Sequence, residues 1–326
     1  ISEPSEQEEH NERWEDMEVE LGRDGFNDLF AFVRMLYGKK KAKRALLEEF
    51  REQVLPNITS PREFVGEVLE PFAESLSVLR EAQYKSEAEA DKVNWYLRWL
   101  NRIDNSDWAP PAMRFLAQQK DNPAYVRWFF ERLERLAAFM YVCAKNVNER
   151  IERYARLIAA LEQEHGPASP VEAVELDEAE RSEMRSVLRG DIYRLTARRR
   201  NYLILRLDSF LSDGSAIYDA NVLTIEHVLP QTVAEGTQWE ANWPDPIERV
   251  QWVHKLANLV PLNKRRNSAA QNYDFDKKKS AYFQGKGNVS SYALTSQVMN
   301  ESQWTPEVVQ ARQDDLLATL EKGWRL

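Results

Sequence analysis

Residues 223–232 read LTIEHVLPQT, and after a tryptophan-rich insert residues 254–279 read HKLANLVPLNKRRNSAAQNYDFDKKK. A β-branched run ends on Glu226-His227. Asn258 sits inside a second apolar run, and Asn267 follows in a basic, helix-competent segment. The pattern reads as strand, loop, strand, helix, an order that gathers a carboxylate, an imidazole and a side-chain amide. Neighbours on an extended strand point to opposite faces. Glu226 and His227 therefore serve one site only if His227 stands at the strand's end, and Pro230-Gln231 predicts a break just beyond it.

Those residue types suit hydrolysis of a phosphodiester, which needs an activated water and a cation that neutralises charge on the phosphate and the departing oxygen. His227 serves as general base because an imidazole titrates near neutrality, and it is expected to face a solvent-filled site. Glu226 and the amide oxygen of Asn267 make a hard, oxygen-only, water-rich shell suited to Mg²⁺ or Mn²⁺. A single obvious carboxylate favours one metal over two. A buried strand asparagine such as Asn258 must satisfy its amide. His254 is expected to be a structural or capping histidine, with phosphate contact as the alternative. Lys264, Arg265 and Arg266, with Lys277, Lys278 and Lys279, are expected DNA-backbone contacts, although a charge run serves equally as a solvated face.

The element order is that of a ββα-metal (His-Me finger, HNH-type) nuclease. The stretch resembles the C-terminal nuclease domain of the GmrSD-type modification-dependent restriction enzymes, a group that includes phosphorothioate-sensing Ssp-type anti-phage effectors. The resemblance rests on Glu226-His227-x-x-Pro230, the Leu256-Ala257-Asn258-Leu259 strand, Asn263-x-x-x-Asn267 and Phe275-x-x-Lys278, and it spans about Tyr202 to the C-terminus. It implies His227 as base, Glu226 and Asn267 as metal ligands, and Asn258 as the catalytic-site amide that orients the His loop. It also implies that the helix carrying Tyr202–Leu207 packs under the strands. Two positions depart from the family pattern. Ala257 stands where Gly is common, and Asn267 stands where a histidine is the commoner ligand, which implies low metal affinity.

The function so implied is a divalent-metal-dependent DNA endonuclease that nicks double-stranded DNA as the effector of an anti-phage or modification-dependent restriction system. Family members of full length carry an N-terminal ParB/sulfiredoxin-like, nucleotide-hydrolysing sensor domain. No phosphate-binding motif of that kind is visible here, so the Ile1 start and its Glu-rich lead read as the beginning of an effector fragment. The alternatives are a catalytically inert nucleic-acid-binding or assembly module and a helical interaction bundle; intact Glu226, His227 and Asn267 favour the enzyme.

Composition frames this reading. The chain has 326 residues and a net charge of −9, from 44 Lys+Arg against 53 Asp+Glu. Residues 191–326 hold 17 basic and 16 acidic side chains, leaving 27 and 37 for residues 1–190. The excess acid thus lies in the first part, and DNA contact is expected in one groove of the second. The single cysteine, Cys143, excludes an internal disulfide or a Cys-built zinc site and is expected in the core. No signal peptide or long apolar span is visible, so the expected setting is cytoplasmic, with no membrane partner.

The expected fold is mostly α: a helical bundle, then a helical domain enclosing a ββα-metal core. The domains predicted are a disordered polar lead over 1–20, a helical connector over 21–165, a linker over 166–176 and a nuclease domain over 177–326. Phe26, Phe30, Val33 and Tyr37 recur at helical spacing up to Gly38, and Ser60-Pro61-x-Glu63 is a capping box. Pro71 predicts a kink or split ten or so residues into that helix. A long helix from Pro123 to near Glu164 is predicted to break once, and Gly190 to close a helix over 177–188. Closing helices carry Trp304, Leu316, Leu317, Leu320 and Trp324.

Overall fold

The computed structural model describes residues 4–212, 223–263, 273–280 and 292–326. It divides into two compact units, Ile1–Leu176 and Asp177–Leu326, and is mostly helical.

In the first unit, helix Pro4–Gly38 packs on helices Glu70–Glu81 and Ala109–Gln119, while Ala90–Leu100 packs along Pro123–Val142. From Pro4 onward the expected polar lead is helical instead. It carries Trp14, whose ring meets Phe26 at 5.1 Å and Phe30 at 5.4 Å, and Met17 and Leu21 are buried beside it. The helix bends at Gly22, where φ is +67°, a value that glycine adopts without a Cβ clash. Burial of one apolar stripe outweighs the polar composition of the other faces.

Pro71 acts as its chemistry requires. A proline inside a helix lacks the N–H for the preceding turn and crowds the carbonyl four residues back. The chain answers with a π-helical stretch, Phe64–Leu69, before α-helix resumes at Glu70. Ser60 caps the start by accepting from the Glu63 N–H, while the Glu63 carboxylate returns to the N–H of Thr59 at 2.7 Å. The predicted long helix is two, Pro123–Val142 and Val147–Ala160, the second opened by a reciprocal Asn146–Glu149 capping box. Cys143 lies at the break and is half-buried rather than a core residue.

Residues 166–176, read as a linker, are fastened to the first unit. Val171, Val174 and Leu176 are buried. Arg153 donates to the carbonyls of Ala173 at 2.7 Å and Glu175 at 2.6 Å, and Glu175 receives Arg132 and Arg135. Glycine and proline mark the turn at 166–170, but the apolar residues after it have a surface to bury.

In the second unit, helix Glu178–Leu188 is capped by Asp177 and Glu180. Helix Ala197–Leu211 lies against an antiparallel pair of strands, β1 (Leu223–His227) and β2 (Leu259–Asn263). The register pairs Glu226 with Val260 and His227 with Leu259. Short helices Gln238–Asn242 and Pro246–Trp252 fill the connection, the second started by Asp245 accepting from the Ile247 N–H at 2.8 Å. Beyond β2 come helices Phe275–Lys278, Ala293–Asn300 and Pro306–Trp324.

Four tryptophans, Trp239, Trp243, Trp304 and Trp324, are among the largest fully buried side chains. The first three share a core with Val228, Leu229, Val260, Leu262 and Phe275. Each of those three indoles places its N–H: Trp239 on the Tyr273 carbonyl, Trp243 on the Trp304 carbonyl, Trp304 on Asn258. That pairing lets large rings be buried without an orphaned donor. Among the described residues no helix is long and apolar enough to cross a membrane.

Candidate active site

β1 ends at His227, and the chain turns there into Val228-Leu229-Pro230. Asn258 holds that turn. Its side-chain oxygen accepts from the Leu229 N–H at 2.7 Å and the Trp304 indole at 3.1 Å. Its amide donates to the Leu229 carbonyl at 3.0 Å and the Val253 carbonyl at 2.9 Å. Its own carbonyl accepts from the Val228 N–H at 2.9 Å. The residue is 0% exposed, and its side chain is spent on the turn and on the Trp304 indole. The adjoining corner is fixed from helix Pro306–Trp324. There Arg312 donates to the Ala257 carbonyl at 3.1 Å, and Gln313 accepts from the Ala257 N–H at 2.8 Å. Burial pushes the Arg312 guanidinium down to about 10, against the opposing pull of Glu301 and Asp208.

His227 is buried, 5% exposed, rather than standing in open solvent. Its ring lies 4.0 Å from that of Tyr193, and its Nε2 is 3.2 Å from Nδ1 of His254. Nδ1 has a long contact, 3.4 Å, to the amide nitrogen of exposed Gln231. Burial, with further contributions from His254, Lys278 and Arg200, pushes the His227 imidazole down to about 3. It is therefore neutral at physiological pH and has a lone pair to offer.

His254 belongs to this cluster and is no remote cap. It is stacked on Tyr193 at 5.5 Å, and its carbonyl accepts from the Tyr193 N–H at 3.1 Å. Burial and Arg194 lower its pKa, with Asp191 opposing. Arg200 lies over the Tyr193 ring at 4.2 Å and donates to its carbonyl at 2.8 Å.

Lys278 departs most from expectation. It is 1% exposed and faces inward, where its ammonium lies 3.1 Å from Glu226 Oε1 and donates to the His227 carbonyl at 2.7 Å. It is thus part of the site and unavailable as a surface contact to DNA. A buried ammonium persists only with an anionic partner and accepted hydrogen bonds, and Glu226 and the strand-end carbonyl supply both. Burial lowers its pKa, and Glu226 opposes that shift. Lys277 is exposed, its ammonium 3.6 Å above the Tyr273 ring, and Lys279 donates to the Glu301 carbonyl. Asn267, Lys264, Arg265 and Arg266 lie outside the described residues.

The structure thus pairs the rings of His227 and His254, and pairs Glu226 with Lys278, whose ammonium also reaches the His227 carbonyl, with Asn258 behind the turn. Among the described residues, no three His, Cys, Asp or Glu side chains form a closed metal cage. Glu226 offers hard oxygen, while the facing nitrogens of the two imidazoles are spent on each other. That donor set fits a cation that keeps most of its waters, as Mg²⁺ does, and not a tetrahedral nitrogen–sulfur site.

Sequence reasoning did not place His254, Tyr193 or Lys278 in the cluster. The four-residue step from His254 to Asn258 is a usable signal, because a turn before a buried strand returns that side chain to the strand's end. Nothing local marks Tyr193. Residues 178–319, which contain every residue just described, match the family model of the GmrSD restriction endonucleases, C-terminal domain. No curated protein matches the chain. Within the Asp177–Leu326 unit, residues 178–319 are thus similar to the C-terminal domain of the GmrSD restriction endonucleases, which suggests a restriction-endonuclease-type effector.

Proposed function

We propose that this unit is an HNH-type DNA endonuclease, with β1, β2 and the chain beyond them serving as its ββα-metal core, and that it hydrolyses phosphodiesters with His227 as general base. The observation that carries the reading is the placement of a neutral imidazole at the end of β1, on a turn clamped from behind by Asn258, with the preceding residue Glu226 tied through Lys278 to the same strand-end carbonyl. For His227 to accept a proton through Nδ1, its Nε2–H must donate to Nδ1 of His254. His254 would then hold the working tautomer, the part a carboxylate plays in other histidine-based sites. The long Gln231 contact at Nδ1 is weak enough for a water to replace.

A restriction-endonuclease domain points in general to a divalent metal. Here Glu226, with Asn267, would hold a single Mg²⁺ or Mn²⁺, which when bound would stabilise charge on the phosphate and the leaving oxygen. Exposed Lys277, with Lys264, Arg265 and Arg266, would meet the DNA backbone. These contacts carry no sequence information, so the isolated chain would nick double-stranded DNA with little preference. In this reading the effector serves a cytoplasmic anti-phage or modification-dependent restriction system, gated by a ParB-like sensor domain encoded upstream, with the domain boundary near residue 177.

Plasmid nicking is the test. Cleavage should need a divalent cation, stop in EDTA and fall by on the order of 10²–10⁴ in His227→Ala, the loss expected for a general base. Nicking that survives EDTA, or that His227→Ala leaves untouched, overturns the mechanism. Because His227 is buried against Tyr193 and His254, a parallel melting curve is needed to separate lost chemistry from lost packing.

A further inference from the structure

The Glu226 carboxylate is already half of an ion pair. Lys278 reaches it from helix Phe275–Lys278, 1% exposed, with its ammonium 3.1 Å from Oε1 and 2.7 Å from the His227 carbonyl oxygen. Both contacts fix the same two-residue corner. Any cation that bonds this carboxylate must share it with a fixed positive charge 3.1 Å away, too close for solvent to screen the repulsion fully. The ammonium cannot swing clear into water, because its whole side chain is enclosed.

We propose that Lys278 is the resident cation of the site and antagonises the divalent metal, so that the metal binds Glu226 weakly in free protein and tightly only when a DNA phosphate brings further negative charge. This rests on the reading of Glu226 as a metal ligand. Metal loading and DNA binding are then linked, each raising affinity for the other by the same factor. A neutral side chain at position 278 removes the antagonism with and without DNA, and leaves the phosphate–metal attraction, and so the linkage, in place.

Mn²⁺ binding to the full chain, followed by electron paramagnetic resonance of the free ion, tests this without reference to turnover. All measurements use a His227→Ala background. That change keeps the backbone carbonyl to which Lys278 donates and prevents cleavage when duplex DNA is added. Without DNA, Lys278→Met should bind Mn²⁺ about tenfold more tightly than the background protein, within the range usual for coupled sites. Saturating duplex should tighten the background protein and Lys278→Met by about the same further factor, so that Lys278→Met with duplex binds Mn²⁺ most tightly. Should Lys278→Met fail to fold by near-ultraviolet circular dichroism, Lys278→Gln, which keeps a donor for the carbonyl but no charge, takes its place.

Unchanged or weaker Mn²⁺ binding in the folded, uncharged variant overturns the proposal, provided Glu226→Gln still weakens binding. So does an absence of any DNA effect in the background protein. If Glu226→Gln leaves Mn²⁺ affinity unchanged, the ligand assignment itself fails, and the role of Lys278 fails with it.

Discussion

Asn258→Ala is the sharpest test of how this site is held. The substitution removes four hydrogen bonds at once, two accepted from the Leu229 N–H and the Trp304 indole, two donated to the Leu229 and Val253 carbonyls. Leu229 and Trp304 are 0% exposed, so no bulk water replaces the lost partner. A buried polar group left unpaired costs about 1–3 kcal/mol. The two N–H donors alone therefore set a floor of about 2 kcal/mol. The stranded carbonyls tolerate isolation better, and a water entering the vacated space would re-pair some groups. The sum is about 3–5 kcal/mol, a large part of the roughly 5–15 kcal/mol that stabilises a typical domain. Denaturant unfolding followed by tryptophan fluorescence measures it, and hydrogen exchange at the Leu229 amide locates it. Protection there should collapse ahead of the strands, and nicking should fall with it. A loss below about 1 kcal/mol, the value of one ordinary hydrogen bond, would refute the clamp.

Three further outcomes follow from the geometry. His254→Phe keeps the stack on Tyr193 but removes the nitrogen facing His227; kcat for nicking should fall by on the order of 10²-fold with KM for DNA and melting temperature little changed, and an unchanged kcat would remove His254 from the mechanism. Charge reversal at Lys264, Arg265 and Arg266 should weaken binding alike on unrelated duplexes and flatten the salt slope by about 0.9 for each phosphate that is no longer neutralised; a sequence-dependent effect would contradict backbone binding. In the first unit, burial alone would raise the Glu175 pKa, but Arg135 and Arg132 outweigh it and hold the carboxyl below its ordinary 4.5. A depressed carboxylate stabilises the fold above its unfolded pKa, and the contribution is lost as pH falls from there through the lowered folded value. Glu175→Gln should therefore cost about 1–2 kcal/mol at neutral pH and remove that part of the acid sensitivity, read as melting temperature against pH.

Much of the fold is legible in the sequence because its punctuation acts locally. Gly38, the Ser60–Glu63 cap, Pro71 and the Asn146–Glu149 box each impose a backbone state within a turn of themselves, and helices start, split and stop there. The misreadings share one cause. Residues 1–20 and 166–176 look like solvated segments by composition, yet Trp14, Met17, Val171 and Val174 find apolar surfaces far away in sequence. Mean polarity says nothing about whether a few apolar side chains share a face. Cys143 is the converse: its apolar neighbours suggest a core position, but it falls where the helix ends.

At the site, the strand-end position of His227 could be argued from alternation alone, since Glu226 and His227 cannot otherwise serve one place. What alternation could not reveal is the electrostatic setting. The net charge of −9 and near-neutral balance of residues 191–326 suggest cations confined to a DNA-facing rim. Instead the described structure puts Lys278 inside, against Glu226, with Arg200 over Tyr193 and Arg194 acting on His254. Burial lowers the proton affinity of the imidazole pair, and these cations lower it further. In sequence, Lys278 is the middle member of a Lys-Lys-Lys run, set apart only by the Phe275-x-x-Lys278 spacing, which by itself does not say that the side chain turns inward. Only the helical turn Phe275–Lys278, which buries Phe275 beside Trp239 and Trp304, carries the residue three positions later inward as well. Helical phase, set by the buried ring, separates the inward lysine from the outward ones.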